Sequence, residues 1–108
     1  GAATHHIADK EVFKALGCEG YLINIGRGEL IDTEALIEAL DKKIIAGAAI
    51  DVFEGEPAID ERLGVLENLI ITPHVASATF EARESAGAQA LDNIQAYLTT
   101  GTAPNRIV

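Results

Sequence analysis

An α/β fold built on a parallel sheet is predicted by three features of the sequence. Apolar runs of strand type and strand length recur at residues 21–25, 45–52 and 69–72. Between the first two lies a stretch of about ten residues with helical periodicity, the length a crossover between parallel strands needs. The runs are nearly continuous in apolar character, which suits strands covered on both faces. The economical arrangement is a right-handed βαβ unit.

In chain order, Asp9 can cap a short helix ending at Leu16, with Val12, Phe13 and Leu16 on one face and Gly17 just beyond it. Tyr-Leu-Ile-Asn-Ile at 21–25 is the first strand, bounded by Gly20 and Gly26. Gly26-Arg27-Gly28 is a loop. Asp32 can cap the next helix, whose Ala35, Leu36, Ala39 and Leu40 share a face and whose end near residues 41–43 places lysines against the helix dipole. Residues 45–52 form the second strand. The polar stretch 53–67 reads as a loop with at most a helical turn at 60–66. Residues 69–72 make a third strand, stopped by Pro73. Thr79 can cap a long helix to about Leu98 with Phe80, Gly87, Leu91, Ile94 and Leu98 on one stripe. Gly101 ends it, and the tail with Pro104 is expected to be extended. No internal repeat or low-complexity tract is visible.

Composition narrows the function classes. The 108 residues are 48% hydrophobic and 23% charged, an ordinary globular balance with room for one aliphatic core. Aromatics are only 5%, so base stacking is a poor expectation. The net charge of -9, with no basic stripe, argues against nucleic acid and against an anionic membrane surface. No apolar run approaches the ~20 residues of a membrane span. Cys18 has no cysteine partner in the chain, and no leader pattern opens it, so the expected compartment is the cytoplasm. The opening Gly-Ala-Ala-Thr reads as the middle of something longer. The following His5-His6 is read as native, two histidines being too few for a tag.

In a parallel α/β sheet the ligand crevice lies beyond the carboxyl ends of the strands. Arg27 follows the first run, Asp51 to Glu56 follow the second, and His74 follows the third. A cation, carboxylates and an imidazole are thus expected along one sheet edge. Arg27, between two glycines, can grip a carboxylate bidentately; the plainer reading is a tight turn with an exposed arginine. His74 can transfer a proton, and a carboxylate such as Glu56 within reach would favour its charged form and orient the ring; the plainer reading is a histidine packed near a strand end. The acids Asp51, Glu54, Glu56, Asp60 and Glu61 match no calcium-loop spacing and have one nearby imidazole, so no metal is expected. Cys18 precedes Glu19 rather than a basic group and is read as structural.

Three ordered stretches carry a family likeness: Leu22-Ile-Asn-Ile-Gly-Arg-Gly-Glu-Leu-Ile-Asp32, Ala46-Gly-Ala-Ala-Ile-Asp-Val-Phe-Glu-Gly-Glu-Pro57 and Asn68-Leu-Ile-Ile-Thr-Pro-His-Val-Ala-Ser77. Together they resemble the D-isomer-specific 2-hydroxyacid dehydrogenases, most of all the glyoxylate and hydroxypyruvate reductases. The resemblance implies the C-terminal half of a Rossmann-like doubly wound sheet plus a long C-terminal helix. It makes residues 1–108 one partial NAD(P)-binding domain, with a half-domain at 1–78 and helix and tail at 79–108. It implies catalytic roles for Arg27, which would hold the substrate's carboxylate and carbonyl oxygen, His74, which would donate the proton, and Glu56, which would keep His74 protonated. It assigns Ile25, Gly26, Arg27, Asp51, His74 and Ser77 to the cofactor, NAD(P). The substrate it implies is a small 2-oxo or 2-hydroxy acid.

The glycine-rich G-x-G-x-x-G loop of dinucleotide sites occurs nowhere in the chain. The family places it upstream, so the chain alone is expected to be catalytically incomplete. It is also expected to associate, as a homo-oligomer through an apolar helix stripe or with the missing N-terminal portion. The competing readings are a non-catalytic, self-associating half-domain or interaction module and, least favoured, an acidic metal-binding protein.

Overall fold

The computed structural model describes residues 1–108. By contact the chain forms two compact units, Gly1–His74 and Val75–Val108.

The first unit contains helix α1 (Lys10–Leu16), strand β1 (Tyr21–Asn24), helix α2 (Thr33–Asp41), strand β2 (Gly47–Ile50), the short helix α3 (Glu61–Gly64) and strand β3 (Leu69–Ile71). The strands pair in parallel in the order β1-β2-β3, with Ile23 opposite Ala49 and Ala49 opposite Ile70. The α/β class and the parallel sheet are as the sequence predicts. Both longer helices of this unit start where a side-chain acceptor is available. Asp9 accepts from the amides of Glu11 and Val12, and Asp32 accepts from that of Ala35, each at 3.1 Å. Arg62 of α3 reaches Glu34 of α2, tying the short helix to the longer one.

One core lies on one face of the sheet. Phe13 of α1, Leu36 and Leu40 of α2 and Leu63 of α3 close over Ala48 and Ile50. This corrects the expectation of strands covered on both faces. Tyr21, Ile23 and Ile70, on the opposite face, are 71%, 71% and 67% exposed. The reason is that all three helices of the unit feed the same core cluster. The small side of β2, Gly47 and Ala49, forms the floor of a shallow apolar groove between them.

Strand bounds also tighten. β1 stops at Asn24 rather than Ile25, because the Asn24 side chain bonds the backbone beyond it and turns the chain. The second strand spans Gly47–Ile50 instead of 45–52. Ile44 and Ile45 donate their amides to the Ala39 carbonyl and so complete the end of α2. Ile45 is still fully buried, as its hydrophobicity demands. β3 loses Thr72, whose amide nevertheless bonds the Ile50 carbonyl at 3.0 Å.

The second unit is dominated by helix α4 (Phe80–Thr100). The Thr79 hydroxyl accepts from the Ala82 amide, and Gly101, with φ of 77°, donates to the Tyr97 carbonyl in a left-handed C-terminal cap. The tail is not extended as expected. Asn93 bonds Asn105 through both its amide nitrogen and its oxygen, and Arg106 donates to the Ala103 carbonyl, folding the tail around Pro104 back against its own helix. No helix in the chain is long and apolar enough to cross a membrane.

Candidate active site

The parallel sheet brings the ends of β1, β2 and β3 to one edge, and the candidate residues sit there. Asn24 ends β1 and is buried. Its amide nitrogen donates to the Arg27 carbonyl at 2.9 Å and its oxygen accepts from the Gly26 amide at 3.0 Å. One side chain therefore shapes the turn that presents Arg27. The guanidinium is exposed, donates to the Gly26 carbonyl at 2.8 Å and enters no ion pair with Glu54 or Glu56. Ile25 on the same turn is 67% exposed.

At the end of β2, Asp51 is buried and accepts a 2.6 Å bond from the Thr72 hydroxyl. Its backbone links the neighbouring strands, the amide to the Asn24 carbonyl and the carbonyl to the His74 amide, both at 2.9 Å. The chain after β3 thus arrives beside Asp51, and His74 adopts a left-handed φ of 56°. From there its Nδ1 lies 2.7 Å from Oε2 of Glu56. The other Glu56 oxygen accepts from the Phe53 amide at 3.1 Å. The hydrogen bond from His74, aided by that from Phe53, holds the Glu56 carboxyl below its ordinary range.

Arg27, Glu56 and His74 line one open cleft of about 710 Å³ together with His5, Gly28 and Phe53. The predicted meeting of cation, carboxylate and imidazole is therefore present within the first unit. Gly26 and Asp51 adjoin it through the Asn24 turn and the His74 backbone. Ser77 belongs to the second unit, in the turn that ends with the Ala78 amide on the Val75 carbonyl. No three side chains of the His, Cys, Asp and Glu types converge as metal ligands. A hollow of about 570 Å³ at the opposite, amino-terminal end of the strands, against Cys18, Lys43 and Asn68, brings no acid-base pair together.

Sequence reasoning missed Asn24, Thr72, Thr33 and His6. The signals for the first two were a polar residue inside an apolar strand run and a hydroxyl before Pro73. Nothing local marks Thr33 or His6, whose shared partner Glu54 is distant in the chain.

The Glu56–His74 pair has a definite pH signature. Glu56 is depressed from its ordinary 4.5, so the pair's contribution is present above that value and is lost as pH falls through the lowered folded value. Following the Glu56 side-chain carboxyl carbon by NMR is expected to show a midpoint below 4.5 that rises toward the ordinary value in His74→Ala, where the Phe53 bond alone remains.

A guanidinium, a buried carboxylate and a carboxylate-bound imidazole at the strand ends of a parallel α/β sheet make a ligand crevice equipped for acid-base chemistry. The family model for the D-isomer specific 2-hydroxyacid dehydrogenase, NAD binding domain, matches residues 1–76, and the chain belongs to this family. It is 46% identical over 96 residues to a glyoxylate/hydroxypyruvate reductase A of Arabidopsis thaliana, covering 89% of this chain and 31% of that one. It is 45% identical over 94 residues to a glyoxylate reductase of Pyrococcus furiosus, covering 87% and 28% respectively. A solved structure of an NADPH-dependent glyoxylate/hydroxypyruvate reductase from Sinorhizobium meliloti, in complex with NADP and malonate, superposes with a TM-score of 0.85 at 41% identity. That match covers 100% of this chain and 34% of the other. The chain thus spans between a quarter and about a third of the length of such relatives.

Proposed function

We propose that this chain carries the proton-transfer and carboxylate-binding half of an NAD(P)H-dependent reductase that converts a small 2-oxo acid, of the glyoxylate or hydroxypyruvate type, to the D-2-hydroxy acid. The observation that carries the reading is the 2.7 Å His74–Glu56 pair in the same cleft as Arg27. With Nδ1 engaged by Glu56, the ring is oriented and Nε2 is the nitrogen left to meet a substrate. Arg27 binds the substrate carboxylate and its carbonyl oxygen. As negative charge develops on that oxygen, Arg27 stabilises it and His74 Nε2 delivers the proton that completes the hydroxyl group. Glu56 stays ionised throughout and keeps the imidazole in its donating orientation.

The nicotinamide end of a dinucleotide fits the residues present. Exposed Ile25 offers apolar surface to a ring, Asp51 offers a carboxylate acceptor to a carboxamide, and the cleft is open. Ile25, Gly26 and Asp51 are assigned to holding it. When bound, the nicotinamide supplies the hydride. The pyrophosphate finds no G-x-G-x-x-G loop among these 108 residues.

The test is a spectrophotometric assay with glyoxylate and hydroxypyruvate. A protein carrying this chain at the length of its relatives is expected to oxidise NADPH or NADH, and the 108 residues alone to give none. Absence of turnover by the longer protein with every small 2-oxo acid would sink the reading.

A further inference from the structure

A second histidine–carboxylate pair stands beside the first. His6 Nε2 lies 2.7 Å from Oε1 of Glu54, and the other Glu54 oxygen accepts a hydrogen bond from the hydroxyl of Thr33, the first residue of α2. Both side chains of the pair are about two-thirds buried, His6 at 34% exposed and Glu54 at 32%. His6 is held from behind. Its amide donates to the Glu29 carbonyl at 2.8 Å, its ring stacks on His5 at 3.9 Å, and its φ of 52° is one that non-glycine residues seldom adopt. Ala8, two residues on, is locked into a parallel bridge with Ile31.

Glu54 and Glu56 flank Gly55, whose φ of 83° sends the two carboxylates to different partners. Glu54 goes to His6 and Thr33, Glu56 to His74. Glu54 also lines the cleft that holds Arg27. Without His6, Glu54 keeps only the Thr33 bond, and the turn that carries Glu56 loses its tie to the segment before α1. We propose that His6 and Glu54 are positioning residues: their pair, bolted to Thr33, anchors one side of the Glu54-Gly55-Glu56 turn so that Glu56 alone reaches His74. The inference rests on His74 as the proton donor of the proposed reaction. Its electrostatics agree with the geometry, since the hydrogen bond to Glu54 raises the His6 pKa above its ordinary value despite some desolvation. Burial opposes ionisation of Glu54, but the bonds from Thr33 and His6 outweigh it and hold that carboxyl low.

The test uses the 108-residue chain with ring-labelled histidine and reads the His74 imidazole nitrogens by NMR, with far-UV circular dichroism to confirm folding. In the parent protein His74 is expected to show a hydrogen-bonded Nδ1–H. In His6→Ala that signature is lost and the ring moves toward the ordinary Nε2–H tautomer. His6→Gln, whose amide can still donate to Glu54, restores it. Glu54→Gln, which keeps the Thr33 bond and the side-chain shape, shifts the ring in the same direction as His6→Ala and carries the test if that variant does not fold. Unchanged His74 signals in folded His6→Ala or in Glu54→Gln would overturn the proposal, as would a His6→Gln variant no closer to the parent than His6→Ala. None of these readouts needs cofactor or turnover. An intact His74 signature in a longer protein that reduces no 2-oxo acid would therefore reject the function and leave the positioning role standing.

Discussion

His74→Gln, made in a protein of the relatives' length, is expected to lower kcat/KM for a 2-oxo acid by roughly 10²–10⁴-fold, the usual worth of a positioned general acid. Glutamine retains polarity and approximate reach but cannot become cationic or give up a proton at neutral pH, so developing charge on the carbonyl oxygen goes unquenched. The loss should fall on kcat more than on KM, because the proposed reaction gives the substrate carboxylate to Arg27 rather than to His74 in the ground state. Glu56→Gln is the companion variant. It keeps an oxygen for the His74 Nδ1, at 2.7 Å in the parent, but removes the ionisable carboxyl, and it should abolish the acidic limb set by Glu56 protonation as well as lower the height of the pH-rate profile. Steady-state kinetics across pH separate the two. A His74→Gln enzyme within a few-fold of the parent would remove His74 from the proton-transfer role.

Gly28→Val should cost about 1–3 kcal/mol or more of unfolding free energy, the range for forcing atoms into a closed contact. The Gly28 backbone is pressed against that of Phe53 and Glu54. A Cβ there would collide with the Phe53 carbonyl group and stand 2.6 Å from the Glu54 amide nitrogen. These are main-chain atoms of a turn already pinned by Glu56 and Glu54, so they cannot swing aside as a side-chain tip would. Relief requires the Arg27 turn to move away from the Glu56 turn, which opens the cleft as well as destabilising the unit. Since each kcal/mol shifts the melting temperature of a domain this size by roughly 4–8 °C, the effect is readable in a thermal melt. Gly64→Ala is the control. Nothing lies within 4 Å of a Cβ built there, and φ lies outside the left-handed region, so it should be neutral or slightly stabilising.

Much of this arrangement was legible from local pattern. Asp9, Asp32 and Thr79 each cap the helix that their position before an apolar repeat implied, because capping is a bond to an amide two or three residues away. The strands were legible as apolar runs, but their ends were not. Ile25 and Ile45 lie outside the ladder because the Asn24 side chain turns the chain after β1 and the Ile45 amide bonds a helix end. Exposure of Tyr21 and Ile23 was illegible for a different reason: hydrophobicity records what a residue prefers, and not whether anything covers it. The candidate site divides the same way. Arg27, Glu56 and His74 could be nominated because strand ends in a parallel sheet share an edge, while Thr33 and His6 could not, since each acts through Glu54, 21 and 48 residues away.

By itself, then, the sequence determined the α/β class, the helix starts, the family and the groups able to do acid-base chemistry, all of which depend on residue type and short-range spacing. The family likeness already paired Glu56 with His74; only the tertiary structure put Glu54 on His6 and showed what holds the two carboxylates apart. Glu54 and Glu56 are chemically alike and separated by one glycine, so composition and spacing cannot tell them apart. The φ of Gly55, the backbone contact at Gly28 and the long-range bonds from His6, Thr33 and Phe53 select Glu56 for His74. A 2.7 Å hydrogen bond is lost by a displacement of about 1 Å, and that accuracy comes from packing between distant segments.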